Sequence, residues 1–235
     1  MSKTLVILTA GAVLGRVPEG IPSQGAADGS HRDASSVTAP GAVRSRLTWL
    51  HLAIRRARQE RETKSPHAFA TRLRGGETVY WFVEIDGSMA PEDDSARDAP
   101  AYPSAFVALV YEADGRMLGI SRYSAAHAED SYSQDDLLFD RGGRAIGSRH
   151  DYVSYVDCGA SRVDRTLETV LHPETGKVVE RSEIAKADGR TALPSRCVLA
   201  DSVEEAPASV RAALARFKLG TMWERDPGGI GAPGR

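Results

Sequence analysis

The sequence predicts an α+β domain, in which an antiparallel meander of about six to eight strands is covered by an N-terminal and a C-terminal amphipathic helix. Three short segments share one pattern, a polar turn with a glycine between two apolar pairs, and they align on Gly115, Gly143 and Gly176. This pattern is typical of β-hairpins, because glycine adopts the positive φ that tight turns require. Apolar residues spaced three and four positions apart precede and follow the hairpins, which indicates a helix at each end.

The N-terminal segment has the character of a short secretory signal peptide. Lys3 precedes an apolar stretch over residues 5–14, which is too short for a membrane-spanning helix. We therefore predict a signal peptide over residues 1–15 and no transmembrane span. The alternative is a buried first strand over residues 5–8 that belongs to the fold.

Two further segments lack the apolar periodicity of folded structure. Residues 16–42 are rich in Gly, Ser, Ala and Pro, and residues 220–235 contain several Pro and Gly. Segments of this composition cannot bury enough apolar surface to offset the entropy of ordering. We therefore predict a disordered arm or linker over the first segment and a disordered tail over the second, with a single α+β domain over residues 43–219.

The first predicted helix begins at Val43 and ends near Arg61, and it presents two different faces. Its apolar stripe consists of Val43, Leu47, Leu50, Ile54 and Ala57. Trp49 falls on the opposite side, beside Arg46 and Arg56. Because basic residues outnumber acidic ones on this helix, we predict that these three side chains bind an anionic surface or an acidic protein partner. Alternatively, Trp49 packs against another element and the arginines are solvated.

The predicted strands differ in burial. Residues 79–83 and 106–111 are apolar at nearly every position, as in central strands that are covered on both faces. Residues 178–184 mix charged with apolar side chains, as in a strand near a sheet edge. The second helix follows, with Pro207 in its first turn and Phe217 at the end of its apolar stripe. We predict that both helices cover the same face of the sheet.

The two cysteines, Cys158 and Cys197, each lie in a β-like segment. We predict that they form a disulfide, which would stabilise the fold by about 3 to 4 kcal/mol; two buried free thiols are the alternative. A disulfide and a signal peptide both require export, so we expect a periplasmic or secreted protein, with a cytoplasmic location as the alternative. The excess of arginine over lysine and the absence of asparagine suggest a GC-rich bacterial genome.

Candidates for catalysis are few, because the chain has no motif of the common hydrolase, kinase, P-loop or zinc-protease classes. The best set is Cys158, His150 and Asp157, since a cysteine, a histidine and an acid are the minimum for thiol chemistry. Packing of Cys158, or its pairing with Cys197, is the alternative.

No metal site and no cofactor is predicted. The six histidines have no short ligand spacing. Four acidic residues between two predicted strands could bind a divalent cation weakly, or they are simply solvated; they are Glu129, Asp130, Asp135 and Asp136.

The charge balance argues against nucleic acid as a partner, because 30 basic and 32 acidic residues give a net charge of -2. Our leading hypothesis is an exported bacterial binding or envelope-accessory module without catalytic activity. One alternative is a hydrolase-type enzyme with an acidic and histidine site on the sheet. The other is a cytoplasmic protein that binds anionic partners through its basic helix.

Overall fold

Among the residues that the structure describes, nine strands form one antiparallel sheet. The computed structural model describes residues 39–64, 68–85, 87–92, 105–125, 130–155, 160–190 and 204–220, together with residues 157, 193, 197 and 199. The predicted signal peptide, nearly all of the predicted arm and nearly all of the predicted tail lie outside the described residues.

The elements follow one another in a simple order. They are α1 (Pro40–Lys64), β1 (Ala70–Arg72), β2 (Thr78–Ile85), β3 (Ser88–Pro91), β4 (Ala105–Tyr111), β5 (Met117–Ala125), β6 (Ser131–Phe139), β7 (Ala145–Ser154), β8 (Val163–Leu171), β9 (Val178–Ala187) and α2 (Val210–Arg216). The first helix begins three residues before its predicted start. The second begins after Ser209, whose hydroxyl accepts a hydrogen bond from the N–H of Ala212 at 3.3 Å, so Pro207 lies outside its first turn.

The strands form the predicted antiparallel meander. From β5 to β9, each strand pairs with the one before it, and β4 pairs with β2. Gly115, Gly143 and Gly176 lie in the hairpin turns with φ values of 83°, 72° and 66°, as expected from their sequence pattern. The sheet has more strands than the expected six to eight, because the short β1 and β3 both pair with β2.

The helix α1 packs on one face of the sheet through its predicted apolar stripe, which is fully buried. Two glycines of the sheet allow the helix to lie close to the strands. A Cβ atom at Gly119 would lie 2.6 Å from Cδ2 of Leu50, and one at Gly147 would lie 2.7 Å from Cγ1 of Val43. Any larger residue at these two positions would therefore push the helix away from the sheet.

The helix α2 packs on the opposite face, so the prediction that both helices cover one face is wrong. Along β4, residues 106, 108 and 110 pack in the same apolar cluster as α1, whereas residues 107, 109 and 111 pack in the cluster that contains Leu214 and Phe217 of α2. Side chains alternate between the two faces of a strand. Since β4 is buried at every position, its sheet needs cover on both faces, and each helix supplies one cover.

Candidate functional site

The α2 side of the sheet contains an open cleft of about 960 Å³. It lies beside α2 and residues 204–207, where strands β5 to β8 carry polar side chains in place of apolar ones. The rest of this face is the apolar cluster beneath α2. The cleft is therefore a place where the sheet presents hydrogen-bonding groups to a ligand from a rigid support.

The floor of the cleft is a row of three side chains on three neighbouring strands. Arg122 of β5 is the register partner of Asp135 of β6, which is the register partner of His150 of β7. Residues directly opposite each other in an antiparallel pair project from the same face. Nδ1 of His150 lies 2.6 Å from Oδ1 of Asp135, so the imidazole and the carboxylate form a hydrogen-bonded pair.

Arg122 has an unsatisfied polar atom on the floor of the cleft. Its Nε atom is buried without a hydrogen-bond partner, and it forms no ion pair with a carboxylate among the described residues. The centre of its guanidinium group lies 5.7 Å from the centroid of the Phe217 ring in α2. The hydroxyl of Ser124, on the same strand and the same face, also lacks a hydrogen-bond partner. Buried polar groups without partners are costly, so this corner of the cleft suits an anionic ligand.

A second row lies next to the first. Ser124, Ser133 and Tyr152 are register neighbours on β5, β6 and β7. The hydroxyl of Tyr152 donates a hydrogen bond to Oδ2 of Asp157 at 2.8 Å. Burial raises the pKa of Tyr152 above its ordinary value, and the hydrogen bond to Asp157 raises it further, so the phenol remains a neutral donor.

The structure brings two of the three predicted catalytic residues into this cleft but does not pair them. His150 binds Asp135, whereas Asp157 accepts the hydrogen bond from Tyr152. Cys158 lies outside the described residues, so its role and its disulfide with Cys197 stay predictions. Asp135 was missed as the partner of His150, because only the strand register shows that the two side chains face each other.

The predicted acidic cluster does not form a single cation site. Asp135 and Asp136 are consecutive residues of a strand, and Asp135 faces the cleft while Asp136 faces α1. Their carboxylates therefore lie on opposite sides of the sheet. Glu129, which completed the cluster with Asp130, lies outside the described residues.

The α1 side of the sheet holds a second polar cluster. Nδ1 of His51 lies 2.8 Å from Oδ2 of Asp136 on β6 and 3.4 Å from Oδ2 of Asp151 on β7. Both His51 and Asp136 are buried, and Gln134 donates a hydrogen bond to Oδ1 of Asp136 at 3.0 Å. The sequence contains no sign of this cluster, because its three acid and base groups come from three separate elements.

Arg149 extends the second cluster across β7 and β8. Its Nε and Nη2 atoms donate to the two carboxylate oxygens of Asp151 at 2.7 and 3.1 Å, and its Nη1 atom donates to Glu168 at 2.9 Å. Burial by itself would lower the pKa of Arg149, but the hydrogen bond and charge of Asp151, with the charge of Glu168, outweigh this effect and raise it. The guanidinium group therefore stays charged.

Of the predicted binding residues on α1, Trp49 and Arg56 lie on the exposed side of the helix, whereas Arg46 is half-buried. Trp49 is 40% exposed and its neighbour Leu52 is 54% exposed. Arg46 lies 3.6 Å from Glu112, and Arg56 is exposed. Exposure alone does not test binding, so the proposed contact with an anionic partner stays a prediction. Neither described helix combines the length and the apolar character needed to cross a membrane.

Comparisons of the chain with protein-family models, with curated proteins and with solved structures find no match.

Proposed function

We propose that the protein is a binding module for a small ligand with a carboxylate or phosphate group, held in the cleft on the α2 side, and that it catalyses no reaction. The observation that carries this proposal is the buried Nε atom of half-buried Arg122 on the cleft floor, which has no hydrogen-bond partner. A buried arginine ordinarily binds a carboxylate or phosphate, because its planar donors match the oxygens of these groups.

The surroundings of Arg122 support an anion that comes from outside the protein. The nearest register neighbour with a negative charge is Asp135, and its carboxylate is bound by His150. The ring of Phe217 lies beside the guanidinium group and restricts its orientation. The unpartnered hydroxyl of Ser124 is available to donate to a second oxygen of the same ligand.

The test is a calorimetric titration of the full chain at low ionic strength with a panel of small carboxylates and with inorganic and organic phosphates. We expect at least one compound to bind, and Arg122→Gln to weaken its binding by about 10- to 100-fold, the usual contribution of a charge-assisted hydrogen bond. Arg55→Gln, on the exposed side of α1, is the matched control and should bind normally. Equal binding by wild-type protein and Arg122→Gln would overturn the proposal.

A second candidate function is a hydrolase-type enzyme, which one observation favours. The 2.6 Å contact between His150 and Asp135 lies in the same cleft, and an acid that orients a histidine is part of many general-base sites. Assays with activated esters and phosphate esters distinguish the two functions. Turnover that is lost in both His150→Gln and Asp135→Asn would identify an enzyme, whereas binding without turnover supports a binding module.

We further propose that this module acts outside the bacterial cytoplasm. The signal-like N-terminus and the pair of cysteines support export. The intact mass of the natively expressed protein, measured with and without reductant and thiol label, tests both features together. A shortened chain that takes up label only after reduction is the expected result, whereas a full-length chain with two free thiols would contradict export and the disulfide.

A further inference from the structure

We propose that His51, Asp136 and Asp151 form a binding site for a divalent transition-metal cation beneath α1. One possible ligand atom from each residue lies within 4.8 Å of the others, namely a ring nitrogen of the histidine and one oxygen of each carboxylate. The three residues come from α1, β6 and β7, so the folded sheet and helix assemble the site. This inference does not rest on the anion cleft, which lies on the opposite face.

The donor set indicates the class of metal. An imidazole nitrogen with two carboxylate oxygens suits Zn²⁺, Fe²⁺ or Mn²⁺, whereas Mg²⁺ and Ca²⁺ prefer oxygen ligands alone. Three protein ligands would leave further coordination positions for water. Such a set differs from a cluster of acidic residues, because the buried imidazole contributes a ligand that selects among cations.

The charge of the cluster is an independent reason to expect a cation. Among the described residues, the connected groups include three carboxylates, those of Asp136, Asp151 and Glu168, and one guanidinium group, that of Arg149. The cluster therefore contains two more carboxylates than guanidinium groups, and the Asp136 carboxylate is fully buried. Uncompensated buried charge is costly, and a divalent cation would neutralise it.

The neighbouring side chains hold the two carboxylates in position. Arg149 and Thr166 both donate to Asp151, and Gln134 donates to Oδ1 of Asp136. Oδ2 of Asp136 is thereby directed towards His51. Outer hydrogen bonds of this kind orient ligands in metal sites. A metal bound at Nδ1 of His51 would replace the hydrogen bond to Asp136, and the single ring proton of the neutral imidazole would then lie on Nε2.

A groove of about 330 Å³ lies on the same face of the sheet as the cluster. Its lining includes Arg149 and Thr166, which both donate hydrogen bonds to Asp151. A cation bound by His51, Asp136 and Asp151 would join the middle of α1 to the centre of the sheet. We therefore expect the metal to increase the thermal stability of the folded chain in proportion to the logarithm of its concentration.

The test uses the full, untagged chain after treatment with a chelator, and Zn²⁺ and Co²⁺ as probes. We expect one equivalent of Zn²⁺ to bind by calorimetry, Co²⁺ to produce visible d–d absorption, and the midpoint of thermal unfolding to rise. His51→Ala should weaken Zn²⁺ binding by at least about tenfold. His172→Ala, in the turn after β8, is the matched control and should bind normally.

Asp136→Asn and Asp151→Asn provide variants of nearly unchanged shape in case His51→Ala fails to fold. Both should lose the Co²⁺ spectrum. Zn²⁺ binding that survives in every one of these variants would overturn the proposal. The absence of stoichiometric binding by folded wild-type protein would also overturn it.

Discussion

Nδ1 of His51 lies 2.8 Å from Oδ2 of Asp136, although 85 positions separate the two residues in the chain. This buried contact joins α1 to β6 in the centre of the sheet. Removal of one partner of a buried hydrogen bond leaves the other polar group without a partner. We therefore expect Asp136→Ala to lower the free energy of unfolding by about 1 to 3 kcal/mol.

Urea unfolding in the presence of a chelator measures this effect without a contribution from bound metal. Glu62→Ala is the control, because it removes an exposed ion pair with Arg58 and should cost less than about 0.5 kcal/mol. A double-mutant cycle with His51→Ala should show coupling between the two residues. Independent effects of the two substitutions would contradict the pairing.

The close approach of α1 to β5 predicts that Gly119→Ala is destabilising. The added Cβ would lie 2.6 Å from Cδ2 of Leu50 and 2.7 Å from the carbonyl oxygen of Leu137. The expected loss is about 1 to 3 kcal/mol in the free energy of unfolding, measured by urea. Gly41→Ala, in the first turn of α1 with open space around its Cα, should cost nothing. A neutral Gly119→Ala would mean that the helix does not contact the sheet there.

Because a buried atom of Arg122 has no hydrogen-bond partner, we expect that its replacement by an apolar residue does not destabilise the protein. Its buried Nε has no hydrogen-bond partner, so Arg122→Leu should preserve or raise the free energy of unfolding, by up to about 1 kcal/mol, while ligand binding is lost. Arg149→Leu is the contrast, because it removes the partner of Asp151 and Glu168 and should cost about 3 kcal/mol. If Arg122→Leu and Arg149→Leu lowered the free energy of unfolding equally in urea, Arg122 would not be the less well paired of the two arginines.

The buried tyrosines predict a loss of stability at alkaline pH. Burial is the main effect that raises the pKa of Tyr111 above its ordinary value of 10.0, and the nearby Tyr80 raises it further. The folded state then holds the phenol proton more tightly than the unfolded chain does. This contribution to stability is complete below about pH 10 and decreases as the pH rises above it.

Urea unfolding at neutral and alkaline pH tests this expectation. Tyr111→Phe should lose less stability than wild-type protein above about pH 10. Tyr155→Phe, which changes an exposed ring, should behave like wild-type protein. If the free energy of unfolding decreased equally at alkaline pH in all three proteins, the pKa of Tyr111 would not be raised in the folded state.

The exposed side of α1 predicts binding to anionic surfaces. Trp49 and Arg56 share this side, so Trp fluorescence should change when the protein is mixed with vesicles that contain anionic lipid, and not with neutral vesicles. Arg56→Glu should weaken binding by about tenfold. Arg141→Glu, in the exposed turn after β6, makes the same change of charge and should have little effect. Identical behaviour of both variants would exclude a specific role for this helix.

The amino-acid sequence by itself determined the local structure of this protein. Glycine at the turn positions, the spacing of apolar residues along α1 and the continuous apolar run of β4 are local patterns, and the structure confirms all three. The sequence predicted a catalytic set of Cys158, His150 and Asp157. His150 and Asp157 both line the cleft but have different partners, so the catalytic role stays a prediction.

The tertiary structure decided which of these local features meet. Alternation along a strand shows that Asp135 and Asp136 face opposite sides, but only the strand register assigns Asp135 to His150, and only the position of α1 assigns Asp136 to His51. The same holds for the helices, since an apolar stripe requires a covering partner without specifying the face of the sheet. Contacts between distant residues depend on the packing of the whole chain, and local patterns do not contain that information.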